Sequence, residues 1–235
     1  MTDSESNLFR LVENLLDTLQ PRDKPAEVRY VFEHLAVAVC AITGVLAAKN
    51  KRVDLFGVVV LALVTALGGG TLRDLILGIR PFWLPDSSFV VNASAVAAVT
   101  FLAARFWTMP MPLLLVADAC GLALFTIIGT EKALALSASN TVAVVLGVVT
   151  GVAGGMIRDV LTGEVPFVLR TGIYLYATAA LGGASVFVLI APHTPAPLVS
   201  QSVAIVFTLA LRLAAIRWRL RLPEFKEHDE VNSQS

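Results

Sequence analysis

Seven windows of about 20 apolar residues, separated by short polar loops, leave this chain few ways to fold. They lie at 28–48, 53–77, 89–106, 113–136, 141–161, 172–190 and 198–218. In hydrocarbon each backbone N–H and C=O needs a partner within the protein, so such windows form helices. The expected fold is all-α: a polytopic membrane protein with seven transmembrane helices. Loops such as RPFWLPDSS, KNKRVD and APHTPAP carry the residues that end helices.

Composition agrees, with 56% hydrophobic and 15% charged residues and a mean hydropathy of +0.76. Eighteen basic residues balance 18 acidic ones, leaving no basic excess to neutralise phosphates, which argues against nucleic-acid binding. Cys40 and Cys120 lie inside apolar runs and read as core thiols. The polar first 28 residues predict no cleavable leader. Leu8, Leu11, Val12, Leu15, Leu16 and Leu19 recur at helical spacing, which fits a helix on the membrane surface or one packed on the protein's own loops. Arg217, Trp218, Arg219 and Arg221 resemble interfacial anchors before a polar tail that composition predicts to be disordered. Basic residues concentrate on the C-terminal side, at Lys49, Lys51, Arg52, Arg105, Arg170, Arg217, Arg219, Arg221 and Lys226. The expected orientation is therefore a cytoplasmic C-terminus and an external N-terminus in the cell (inner) membrane.

The chain repeats itself at an offset of 85 residues, the spacing from Gly69 to Gly154. GGGTLRD is answered by AGGMIRD, Gly44 by Gly129, Gly78 by Gly163, Pro81 and Phe82 by Pro166 and Phe167, and Glu33 by Asp118. Roughly a third of the positions from Glu33 to Leu84 are identical in unbroken register. Each copy holds three spans, an odd number, so the second copy enters the membrane upside down. The expected organisation is a polar segment 1–28, a first repeat 29–106, an inverted second repeat 113–191, a seventh helix 198–221 and a tail 222–235.

Gly68, Gly69, Gly70, Gly154 and Gly155 recur in spans two and five. Adjacent glycines each cost about 1 kcal/mol of helix propensity and predict a break or kink. Close helix packing is the other reading, and it is the one favoured for Gly44, Gly57, Gly129 and Gly147. A charge at the bilayer centre costs about 2.5–3.5 kcal/mol, so the neighbouring Arg-Asp pairs need partners. Depth along the spans predicts Glu33 with Arg73 and Asp74 on the outer side, and Asp118 with Arg158 and Asp159 on the inner side. These groups are read either as structural salt bridges or as the lining of a path. Lys132 has Ala47 as its counterpart and is expected to snorkel to the interface, with a pore-facing role as the lesser reading. His34 reads as a packing residue. Neither a metal-ligand spacing nor a catalytic motif is found, which predicts a non-enzyme without cofactors.

The doubled GG-x-x-RD, the run DACGLALFTIIGTEKAL and the segment GEVPFVL resemble the bacterial family of paired "glycine transporter" domains, which is similar to the prokaryotic trimeric intracellular cation (TRIC) channels. The resemblance spans about 30–221 and implies a homotrimer with a K+-permeable path in each protomer, Na+ being a second candidate ion and membrane lipid the surroundings. It places the path between the repeats, along glycine-kinked helices two and five, with Arg73, Asp74, Arg158 and Asp159 as polar lining. The family label keeps open a secondary transporter for glycine or another small amino acid.

Overall fold

A computed structural model of the chain describes residues 24–49, 51–106, 111–170 and 175–218. Every regular element among them is helical: α1 Lys24–Ala47, α2 Leu55–Ile76, α3 Ser88–Phe106, α4 Met111–Ala135, α5 Asn140–Leu161, α6 Tyr176–Ile190 and α7 Pro197–Trp218, with a 3-10 turn Ala191–His193 after α6. All seven are long and apolar enough to cross a membrane, α6 together with its 3-10 turn. A 22-residue helix rises about 33 Å, enough for a hydrocarbon core of about 30 Å. The leucine-spaced segment 8–19, the start of the sixth predicted span and the tail from residue 219 lie outside the described residues.

Local chemistry sets the helix ends. Asp54 caps α2 by accepting the Gly57 amide at 2.8 Å, and Ser139 does the same for Val142 on α5. At the other end of α2, Gly78 takes φ +70°, Ile79 N–H donates to the Asp74 carbonyl and Gly78 N–H to that of Leu75. Gly163, at φ +72°, repeats this after α5, where Glu164 and Gly163 donate to the carbonyls of Asp159 and Val160. A left-handed glycine closing both helices in this way is a Schellman ending. It turns the chain back so that Pro81–Phe82 and Pro166–Phe167 fold against the helix they follow.

The inverted repeat is visible in the crossing of α2 and α5. A Cβ built on Gly69 would overlap the Thr150 carbonyl, and one on Gly154 would overlap the Thr65 carbonyl. Exchanging the repeats maps Gly69 to Gly154 and Thr150 to Thr65, so the two contacts are images of each other. Because 65 faces 154 while 69 faces 150, the helices run antiparallel, as an inverted repeat requires. A second image pair joins neighbours within each repeat. Gly44 of α1 lies on the Ala62 backbone of α2, and Gly129 of α4 lies on Gly147 of α5. Small residues let backbones touch where lipid offers no hydrophobic drive for association. Helix α4 is the central element, with 72% of its apolar window buried against 22% for α3, and α7 packs on α6 and α4 outside the repeats.

Two expectations need correction. Helices α2 and α5 continue through Gly68–Gly70 and Gly154–Gly155, so the glycines do not break them. The glycine clusters allow a close crossing, and the backbone bonds of the helix outweigh the propensity cost once the lost side chain is replaced by a packed neighbour. Gly57 is no interhelical contact, since its missing side chain faces Val53 and Asp54 of its own capping turn.

Candidate functional site

Both Arg-Asp pairs sit in the last turns of their helices, immediately before the Schellman ending. Arg73 Nε donates to Asp74 Oδ1 at 2.8 Å and Nη2 lies 2.7 Å from the same oxygen. The other carboxylate oxygen accepts the Phe82 amide at 2.9 Å, and the Arg73 guanidinium lies 5.9 Å from the Phe82 ring centre. The second copy repeats these contacts except that of Nη2. Arg158 Nε donates to Asp159 Oδ1 at 2.8 Å, Asp159 Oδ2 accepts the Phe167 amide at 2.9 Å, and the guanidinium lies 5.0 Å from the Phe167 ring. Arg73, Asp74, Arg158 and Asp159 are all buried. The Gly, Pro and Phe shared by the repeats thus build one unit: a helix end, a turn, and an aspartate that ties the two together.

Helix α4 makes the two units differ. At the first, Lys132 Nζ approaches Asp74 Oδ1 at 3.0 Å. At the second, Asp118 Oδ1 accepts from Arg158 Nη1 at 2.9 Å. These residues stand 14 positions apart in the sequence, about 21 Å along the helix. One helix therefore delivers a cation to one cluster and an anion to the other. Arg73, Asp74 and Lys132 sum to a formal +1, and Asp118, Arg158 and Asp159 to −1.

The position of Lys132 corrects the expected snorkelling, because its amine turns inward to a buried carboxylate. Glu33 is corrected as well. It lies in the electrostatic neighbourhood of Lys132, Arg73 and Asp74 but forms no salt bridge with a described residue. Symmetry with Asp118 and Arg158 would pair Glu33 with Arg73, but Arg73 binds its neighbour Asp74, which Lys132 also approaches. Asp118 with Arg158 and Asp159 is a cluster in the expected combination.

Arg212 escapes the sequence reading. Fully buried on α7, it stacks 4.6 Å above the Tyr176 ring, and Asp118 is within its electrostatic reach. The signal was present, since an arginine inside LALRLAAI has no place on a lipid-facing helix. Its address could not be read, because α7 has no counterpart in the repeat.

Between the clusters, where α2 crosses α5, lies a cavity of only about 10 Å3 whose lining includes Thr65, Gly69, Thr150, Gly154, Asp118 and Arg158. That is room for about one water molecule. Asp118 Oδ2 and Arg158 Nη2 are buried without a hydrogen-bond partner among the described residues. Gly155 keeps the site open, since a side chain there would meet Tyr176 Oη at 3.3 Å and Arg158 Nη2 at 3.5 Å. The arrangement places a carboxylate, a guanidinium and threonine side chains around this water-sized space. Among the described residues no group of three His, Cys, Asp or Glu is placed to hold a metal.

At the Glu33 end of α1, His34 Nε2 lies 3.0 Å from Ser88 Oγ and stacks on Phe89 at 4.1 Å, so it packs α1 against α3. Tyr30 donates to Asp86 at 3.0 Å. The Ser88 hydroxyl and amide, then Tyr30, hold the Asp86 carboxyl below its usual range.

Fold and site define a class: membrane proteins of two inverted three-helix repeats with ionisable groups buried where the repeats meet. The chain belongs to the paired "glycine transporter" domain family of bacterial TRIC proteins, the family profile described as "Glycine transporter" matching residues 30–105 and 115–192. Similar proteins include the UPF0126 inner membrane protein YadS of Escherichia coli K12, 46% identical over 199 residues, covering 83% of this chain and 95% of the relative. A UPF0126 membrane protein of Vibrio cholerae is 44% identical over 209 residues, covering 83% and 82%. Among solved structures, the TRIC trimeric intracellular cation channel orthologue of Rhodobacter sphaeroides is similar with a TM-score of 0.77 at 36% identity, covering 82% of this chain and 99% of that one. A structure described under the basis of conductance through TRIC cation channels gives 0.75 at 35% identity, covering 84% and 97%.

Proposed function

We propose that this protein is a K+-permeable cation channel, with a path through each protomer of a homotrimer. The path runs between the two repeats, 29–106 and 113–191, and passes the α2–α5 crossing between the two charge clusters. The observation that carries this reading is the water-sized cavity lined by Asp118, Arg158, Thr65 and Thr150, flanked by image-related ion pairs in an otherwise apolar bundle. Charge is costly at membrane depth unless it faces an interior or water. The likeness to proteins described as cation channels supports the same reading. The narrowness of the crossing fits a closed conformation, which α2 and α5 open by separating at the glycine contacts. Orientation follows the basic loops, with the C-terminus cytoplasmic.

Planar-bilayer recording of the purified protein in KCl tests the proposal. Discrete unitary currents without any amino acid are expected. Saturable, ion-coupled glycine uptake with no unitary currents overturns the channel reading and establishes a carrier.

A further inference from the structure

Away from the charge clusters, an open groove of about 330 Å3 lies between the C-terminal end of α1, the start of α2 and the C-terminal end of α3. Val45, Leu46, Val58 and Phe101 make its apolar wall, and Lys49, Lys51 and Arg105 stand in its lining at the helix ends. These cations come from the last turn of α3 and from the α1–α2 loop, so they sit at the level where a helix of this length leaves the hydrocarbon. The surrounding face is cationic. The segment KNKRVD and the positions Arg105, Glu164 and Arg170 carry five basic and two acidic residues.

Topology explains basic loops on one side of a membrane. It does not explain an apolar groove running from them into the bilayer. Nor does the fold demand the cations, because the repeat places Leu134 and Leu136 where the first copy has Lys49 and Lys51. Lys51 does bind Glu164 at 2.7 Å, but Glu164 is shared with Arg170 at 3.3 Å, so the cluster keeps a positive excess.

We propose that the groove is a binding site for an anionic phospholipid: one acyl chain lies along Val45, Val58 and Phe101, and the phosphate sits at Lys51 and Arg105. An apolar slot ending in cations takes the headgroup-proximal part of an acyl chain together with the phosphate, and matches neither a free anion nor a zwitterionic lipid as well. The site is separate from the proposed ion path and stands whether or not that path conducts.

Native mass spectrometry of the full chain in detergent tests the site, titrating phosphatidylglycerol, phosphatidylcholine with the same acyl chains, and inorganic phosphate. One phosphatidylglycerol per chain is expected to bind in preference to phosphatidylcholine, with no displacement by phosphate. Lys51→Gln and Arg105→Gln should each weaken it about fivefold, the effect of one basic residue at an anionic surface. Glu164→Gln, which frees Lys51 from its partner, should hold or tighten binding, and Ala104→Trp at the groove should abolish it. Circular dichroism checks that each variant folds. Equal binding of the two lipids, indifference to both cation substitutions, or an Ala104→Trp variant that dissociates the oligomer while keeping its lipid each overturns the proposal.

Discussion

Gly69 on α2 lies against the Thr150 carbonyl on α5 so closely that no Cβ fits between them. The image contact, Gly154 on Thr65, holds the same two helices one turn further along. Gly69→Ala or Gly154→Ala must push α2 and α5 apart. Each is expected to cost about 1–3 kcal/mol, the usual penalty of overpacking, seen as a lower melting temperature in detergent, and to change unitary conductance. Gly68→Ala is the contrast, since it meets only the end of the Ile157 side chain at 3.0 Å, which can rotate away. A Gly69→Ala variant no less stable than Gly68→Ala would show that the close crossing sets no cost.

Asp159 accepts from Arg158 and from the Phe167 amide in a buried site. Asp159→Asn leaves Arg158 with Asp118 as its counter-charge but weakens the bonds to Arg158 and the Phe167 amide, and is expected to destabilise the protein by about 1–3 kcal/mol. Asp74→Asn should cost more, about 3–5 kcal/mol, because it takes the shared counter-charge from both Arg73 and Lys132. Thermal unfolding of the two variants measures this, and a variant that melts like the parent removes the aspartate from the structural framework.

The opposite formal charges of the two clusters predict opposite effects on current. Lys132→Gln removes the cation beside Asp74 and should raise cation current entering from that end. Asp118→Asn removes an anion beside Arg158 and should lower current entering from the other end. Current–voltage curves in symmetric KCl test this: both variants should rectify in favour of cation flow from the Lys132 end, Lys132→Gln with a larger current in that direction and Asp118→Asn with a smaller current in the reverse direction. Symmetric, unrectified curves for both variants would place these residues off the ion path.

The Lys51–Glu164 pair joins the α1–α2 loop to the α5–α6 loop. Its hydrogen bond with Lys51, followed by the charge of that lysine, holds the Glu164 carboxyl below its ordinary range. A lowered folded value stabilises the protein at pH above the ordinary glutamate range, and the stabilisation is lost as pH falls through the folded value. The melting temperatures of the parent and Lys51→Gln should therefore differ at neutral pH and converge in acid. A difference that persists in acid would assign it to something other than this pair.

The orientation predicts that a cysteine at Ser4, in a background with Cys40 and Cys120 replaced by alanine, reacts with an impermeant thiol reagent on intact cells. One at Ser233 should be protected. The reverse labelling inverts the topology and exchanges which cluster faces outward.

The number of spans, the all-helical class and the inverted repeat were legible in the sequence, because each rests on a local rule. An apolar window of fixed length must be helical in hydrocarbon, and an odd-span repeat must invert. The pairing of Asp118 with Arg158 was legible for the same reason, since helix rise alone puts them at one depth. What only the tertiary structure decided was lateral: which faces of the helices meet, and which long side chain arrives first. Hydropathy carries depth but no rotation about the helix axis. It therefore could not tell that Lys132 reaches Asp74, that Arg212 enters from a helix outside the repeat, or that α2 and α5 continue through their glycine clusters. A glycine pair weakens an isolated helix, but two such helices brought into backbone contact recover the loss through packing, and that contact exists only once the repeats have met.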